Sequence, residues 1–587
     1  MVPIRVSLLF FILVLAACSS SDGESPIPTP PPQPQPSGVR TAATFSELTN
    51  SSFAPNSPIH NNFFLPLGTS GEALQELAGV LSVDEQSFSR TGAPPIAARR
   101  FPGFEVEFFT HDGFLVPTVR QILQPQGTSY WTILLSPGRV WSEPEDMGMS
   151  RASFPFVLAD NYENAAHNGL ATFLFDNTTV SQLRIQIVQE SAAWDQFDGW
   201  DQFPMNYTPR ASDTYDALRT RFIAERASRF PTAPWSELET LAGTSLTAIR
   251  AQISPEQITY QGMVVDDVLY LPEFETRYGP FPFPEYMRAG AFSVTKSMGA
   301  ALTMFRLAQK YGPRVFDLFI KDYLNVTATH NGWESVTFGD CLNMATGIGD
   351  NSANPNIVDM LADENGTKMG RWQNELSRIG KLNVSFDYNN YPWEPGQIVR
   401  YNTTHTFVLG AAMDAFYKSM EGDDAHIWDM MQREVYEPIG IYEAPMAHTR
   451  EPDGSQGVPL YGVGLYPTAH DLARVIRLFE NSGRSGQEQL ISWDHAQSAL
   501  FRGNNGLSIG SSTRAGDPYL YHYGFWSEPY RGAGGCLIQL PYMSGFGGNM
   551  LVVGPNGVSG FRFSDTHNYD VLGIAQDMER VRSFTCP

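Results

Sequence analysis

The segment from Ala291 to Gly312 constrains the fold of this chain most. Val294, Met298, Ala301, Leu302 and Phe305 recur at i, i+4, i+7, i+8 and i+11, which is one apolar face of a helix. Gly312-Pro313 stops it. A helix with so continuous a stripe must be covered by other elements. Ser293 and Lys296 stand at its start, three residues apart, so both side chains share one face of the first turn. A serine hydroxyl is a poor nucleophile until a base takes its proton. A lysine amine can be that base only if burial or nearby positive charge lowers its pKa. A helix start supplies positive potential and unpaired N–H groups. Taken alone, Ser-x-x-Lys is a weak motif, and its bland alternative is a serine and a lysine on a surface helix. Its companions decide.

The second element is Pro395-Gly396 followed by Tyr401-Asn402-Thr403. The third is Met543-Ser544-Gly545-Phe546-Gly547-Gly548, with an apolar run from Leu551 behind it. Together these resemble the active-site motifs of class C β-lactamases and their esterase and D-amino-acid peptidase relatives. Val336–Ile348 and Thr468–Phe479 resemble two further stretches of that family. The latter also reads physically: Thr468 caps, Asp471 follows three on, and Leu472, Val475, Ile476 and Phe479 form an apolar face.

The resemblance covers roughly residues 232 to 587. It implies a β-lactamase-like α/β (α+β) domain over 211–587, with an antiparallel sheet, a helical subdomain and the site between them. Ser293 would be the nucleophile, with Lys296 and Tyr401 as proton-transfer partners. The N–H groups of Ser293 and Phe546 would form the oxyanion hole. Thr403, Met543, Ser544 and Gly545 would bind substrate. Two positions depart from the pattern. Thr403 stands where the family has Asn, and Met543 replaces the basic residue that would hold a substrate carboxylate. That points to an esterase or amidase rather than a β-lactamase proper. A cell-wall peptidase that recognises penicillin, and a non-catalytic lipoprotein using the same cleft, are the alternatives. No cofactor and no metal are expected.

Gly506-Leu507-Ser508-Ile509-Gly510 has the spacing of a nucleophile elbow, which needs a strand before it and a helix after it. The flanking Arg-Gly-Asn-Asn and Ser-Ser-Thr-Arg predict a loop instead. His405 reads as a packing or surface residue rather than a metal ligand.

Residues 41–210 read as a smaller β-rich domain of unknown role. Phe104–Phe109, Tyr130–Leu135, Thr172–Phe175 and Leu183–Val188 are short runs of aromatic and β-branched residues, the mark of strands. Trp194, Phe197, Trp200 and Phe203 lie among Asp195, Asp198 and Asp201. They suggest either a carbohydrate platform or, preferably, an aromatic corner of the domain. Thr214–Ser228 and Trp235–Ile253 predict helices, and Met263–Leu271 a strand or strand pair.

The N-terminus differs in kind. Arg5 precedes an apolar run from Val6 to Leu15, too short to span a bilayer. It ends in Leu15-Ala16-Ala17-Cys18, which looks like a bacterial lipobox. Residues 1–17 are therefore expected to be a lipoprotein signal peptide, with Cys18 lipidated. Several acyl chains on one residue suffice for stable anchoring. Ser19 rather than Asp follows, which points to the outer membrane of the cell envelope. The Pro- and Ser-rich stretch 18–40 reads as an extended tether. A formal net charge of −23 excludes nucleic acid as a natural partner and leaves the lipid as the only membrane link. The expected partner is a small-molecule or peptide-like ester or amide. Besides Cys18 there are Cys341, Cys536 and Cys586. An exported chain can join two of them, and Cys536 with Cys586 is preferred because it would tie down the C-terminus.

Overall fold

Polar residues on buried strands organise this molecule. The structure is a computed structural model describing residues 40–67, 70–350, 360–503, 507–508 and 519–584. The expected signal peptide, Cys18, the tether up to residue 39 and Cys586 lie outside the described residues. Arg40 is already seated in the body. Its guanidinium donates to Glu143 at 2.6 Å and to the Phe63 carbonyl at 2.5 Å.

Residues 78–209 build an eleven-stranded sheet that is antiparallel throughout. Its centre is β1 (Ser150–Asp160), β2 (Ala166–Phe175) and β3 (Leu183–Glu190), and every residue of the three is buried. One face carries Phe154, Phe156, Phe173, Ile185 and Ile187 into an apolar core. The other carries Asn168, Gln186 and Gln189. Alternation of this kind ordinarily marks a wet face. Here the polar face is covered by later chain and hydrogen-bonded to it, as buried polar groups must be. Gln186 bonds Ile59 and Asn61, Asn168 bonds Arg288, and Gln189 bonds Thr259.

The second sheet has nine strands. Its middle runs β4 (Ile258–Val265), β8 (Val558–Ser564), β7 (Asn549–Val552), β6 (Leu537–Gly545) and β5 (Phe525–Arg531), all antiparallel neighbours. An early strand thus pairs with the last one, which closes the domain. Helices α2 (Trp235–Ala242) and α6 (Val571–Val581) cover one face through Leu238, Met263, Val552, Ile574 and Met578. The other face meets the Ser293 helix through Val294, Met298, Leu551 and Phe561 in the main core. α4 (Thr403–Glu421) and α5 (Ala469–Glu480) pack into the same core, and α5 carries the Thr468–Asp471 capping box. The result is a mixed α/β fold in which helices cover both faces of the second sheet.

Some expectations change. Trp235–Ile253 is not one helix. It stops at Ala242, where Gly243 takes a left-handed φ of 66°, and resumes as one short turn at Ala248–Arg250. Of the two forms expected for Met263–Leu271, the structure has the strand pair, a hairpin that turns at Asp266. The Ser293 helix begins as a wide π-turn over Lys296–Ala301 before the α-helical α3 (Leu302–Tyr311). Leu507–Ser508 forms a two-residue edge strand rather than a loop, while Gly506, Ile509 and Gly510 lie outside the described residues. α1 (Tyr215–Ala227) is helical as expected. Cys341 is a buried free thiol and Cys536 is disulfide-bonded.

Candidate active site

The first sheet braces the turn that presents Ser293. Phe292 has φ 47°, left-handed for a residue with a side chain. Such a conformation persists only where its surroundings enforce it. Asn164 Oδ1 accepts the Phe292 N–H at 2.5 Å, and Ser191 Oγ accepts the Gly290 N–H at 2.7 Å. From the second sheet, the Asn549 amide donates to the Gly290 carbonyl at 2.9 Å. A Cβ on Gly290 would lie 1.5 Å from the Asn164 carbonyl oxygen, so only glycine fits there. None of these braces carries a sequence signature, because each joins residues distant in the chain.

Lys296 is 1% exposed. Its Nζ lies 2.8 Å from Ser293 Oγ, 2.8 Å from Thr403 Oγ1 and 2.7 Å from the Gly462 carbonyl. Burial pulls its pKa down to about 8, against a smaller upward pull from Glu364. The three partners fix which way the amine faces. A carbonyl can only accept. Thr403 Oγ1 gives its own proton to Glu364 Oε1 at 2.6 Å, so toward Lys296 it too accepts. A neutral amine has two N–H groups and one lone pair. The N–H groups are used by Gly462 and Thr403, which leaves the lone pair for the Ser293 hydroxyl.

Glu364 was not legible in the sequence. Its carboxylate accepts both the Thr403 N–H and the Thr403 hydroxyl, at 2.6 Å each. It sits in Leu-Ala-Asp-Glu-Asn, 39 residues from Thr403, without a motif to mark it. Thr403 is fully buried, so it orients Lys296 and Glu364 and offers no open surface to a substrate.

Tyr401 is stacked on Trp526 at 5.2 Å, and Lys296 Nζ lies 5.0 Å from its ring centre. Burial, with Tyr521 and Glu364 nearby, pushes its phenol well above the usual value, and an interaction with the Ser293 side chain works the other way. It is a protonated donor in this setting.

Gly545 ends β6 against the serine turn. A Cβ there would lie 2.4 Å from the Ala291 carbonyl and 3.3 Å from Val294. Phe546 follows in the turn. Among the described residues, neither the Ser293 nor the Phe546 N–H donates to a backbone carbonyl. Ser544 is partly exposed beside them. Met543 differs from the expectation. Its side chain is fully buried in the main core, where it packs beneath the strand instead of lining an open surface. His405 is buried and bonded by Thr346, with a pKa lowered to about 3 by desolvation, which fits a packing role.

No protein-family model matches the chain, and no curated protein does. Solved structures resemble it at low identity. A Bacillus anthracis protein assigned as a 6-aminohexanoate-dimer hydrolase is 16% identical, with 60% of this chain and 86% of that one covered and a TM-score of 0.43. A penicillin-binding protein homologue from Caulobacter crescentus is also 16% identical, covering 64% and 97%, at 0.39. A D-stereospecific amidohydrolase from Streptomyces is 13% identical, covering 58% and 97%, at 0.37.

Proposed function

We propose that the chain is a serine hydrolase that cleaves an ester or amide through an acyl-enzyme on Ser293. The observation that carries this is the buried Lys296 amine, 2.8 Å from Ser293 Oγ and lowered to a pKa of about 8. A base whose pKa lies near the working pH is the kind general catalysis needs.

The Ser293 proton passes to the Lys296 lone pair while Oγ bonds the carbonyl carbon. The carbonyl oxygen becomes an oxyanion facing the N–H groups of Ser293 and Phe546. The intermediate collapses, the bond to the alcohol or amine breaks, and the leaving atom takes a proton from Lys296 or the Tyr401 phenol. Water then attacks the acyl carbon and gives a proton to the same groups; the bond from that carbon to Ser293 Oγ breaks, and Oγ takes the proton back as the acid leaves. In this reading Tyr401 exchanges protons with Lys296, and Thr403 with Glu364 keeps the amine aimed. The substrate is a small-molecule or peptide-like ester or amide. Once the leader is cleaved, lipid on Cys18 would hold the enzyme on the outer membrane of the cell envelope.

The test uses the body without its leader, a fluorophosphonate probe and a chromogenic cephalosporin, beside Ser293→Ala. Labelling of Ser293 without cephalosporin turnover supports the esterase or amidase. Turnover moves the reading to a penicillin-recognising enzyme. A folded sample that takes no label refutes catalysis by Ser293.

A further inference from the structure

One aromatic residue of the first sheet faces the candidate site instead of its own core. Trp194, Phe197, Trp200 and Phe203 form a cluster in sequence, yet three of them are spoken for. Phe197 packs on Trp131 and His167 under the Arg90 guanidinium. Phe203 packs on Phe101. The Trp200 indole donates to the Pro55 carbonyl. Trp194, on the loop after β3, lies 5.6 Å from the Phe292 ring and 5.2 Å from the Phe546 ring. Those two residues flank the groups that matter: Phe292 precedes Ser293, and Phe546 carries the second oxyanion N–H. His567 stands edge-on to Phe546 at 4.7 Å, with Tyr569 behind it.

This wall is open. Trp194 is 41% exposed and Phe546 39%. Burial lowers the pKa of His567, so it is neutral near pH 7 and belongs to the apolar surface. Position 543, where a cation would hold a carboxylate, is an apolar side chain sunk in the core. Exposed aromatics of this size stay unburied at a cost, and covering them with an apolar group is favourable.

Resting on the hydrolase reading above, we infer that the site takes an uncharged ester or amide with an apolar substituent on its scissile carbonyl. Trp194, brought from the first sheet to meet Phe546, is the residue that selects that substituent. This gives the β-rich part a part in substrate choice besides bracing the nucleophile.

The test compares p-nitrophenyl octanoate with p-nitrophenyl acetate. Binding is read on Ser293→Ala and on Ser293→Ala with Trp194→Ala, by calorimetry, so that it does not depend on catalysis. The octanoate ester is expected to bind Ser293→Ala more tightly than the acetate. Trp194→Ala is expected to cut that preference about tenfold, and Trp194→Phe to restore most of it. An unchanged melting temperature certifies the fold of each variant. Equal affinities for the two esters, or a preference that survives Trp194→Ala, would overturn the inference. Preferential binding without any turnover by the parent would count against the hydrolase reading alone.

Discussion

Replacing Glu364 by Gln removes a charge from the Lys296 network while keeping a side chain that can still accept a hydrogen bond. The carboxylate reaches Lys296 through Thr403 Oγ1, by contacts of 2.8 Å and 2.6 Å, so the charges lie no more than 5.4 Å apart along that path. At an effective dielectric near 20, such a pair interacts by about 3 kcal/mol. Glu364 is partly exposed, and water reduces the effect to about 1–1.5 kcal/mol, or about one pKa unit. The sign follows from the charge. Glu364 raises the Lys296 pKa, so its loss lets desolvation lower that pKa below about 8. The assay is kcat/KM for a p-nitrophenyl ester between pH 5 and 10. For the parent, the rate is expected to rise with pH to a plateau above about 8. For Glu364→Gln, the acid limb is expected about one unit lower, with a reduced plateau because Thr403 is held less firmly. An unmoved limb, or one shifted upward, would refute the claim that Glu364 acts on Lys296.

Lys296→Met should abolish turnover, by about 10³-fold or more, and change the pH dependence of stability. Lys296 has a folded pKa of about 8 against an ordinary 10.5. The unfolded chain therefore binds more protons between those values, and this residue makes stability rise with pH across that window. Urea unfolding at pH 7 and pH 10 should show the parent gaining roughly 2–3 kcal/mol on Lys296→Met. Tyr401→Phe keeps the stack on Trp526 and removes the phenol proton, so kcat should fall by about 10² with little change in melting temperature. Asn164→Ala leaves the buried Phe292 N–H without its acceptor. A destabilisation of about 1–3 kcal/mol in chemical unfolding and a larger proportional loss of Ser293 labelling are expected.

The parts that sequence makes legible are the local ones. Ser293 and Lys296 sit on one turn, Tyr401 and Thr403 in one short motif, and Gly545 and Phe546 at one strand end. Each is marked by spacing within a few residues. Strands such as β3 were visible by their β-branched residues. Their burial on both faces was not, because the partners of Gln186 and Gln189 come from residues 59–61 and 259. Long-range contacts also hide Glu364, Asn164, Ser191 and the role of Trp194. Trp235–Ile253 misled because its apolar spacing continues past Gly243, where the backbone turns left-handed. Met543 misled because a motif position fixes the strand register and leaves open how deeply a methionine sinks into the core.

The rate at which a fluorophosphonate labels Ser293 in the folded body, followed by peptide mass spectrometry from pH 6 to pH 10, tests the Ser293–Lys296 pair most directly. The expected rate climbs about tenfold per pH unit below the Lys296 pKa, levels off above pH 8, and collapses in Lys296→Met. A rate that is flat with pH, a label on another serine, or full labelling of Lys296→Met would contradict the account.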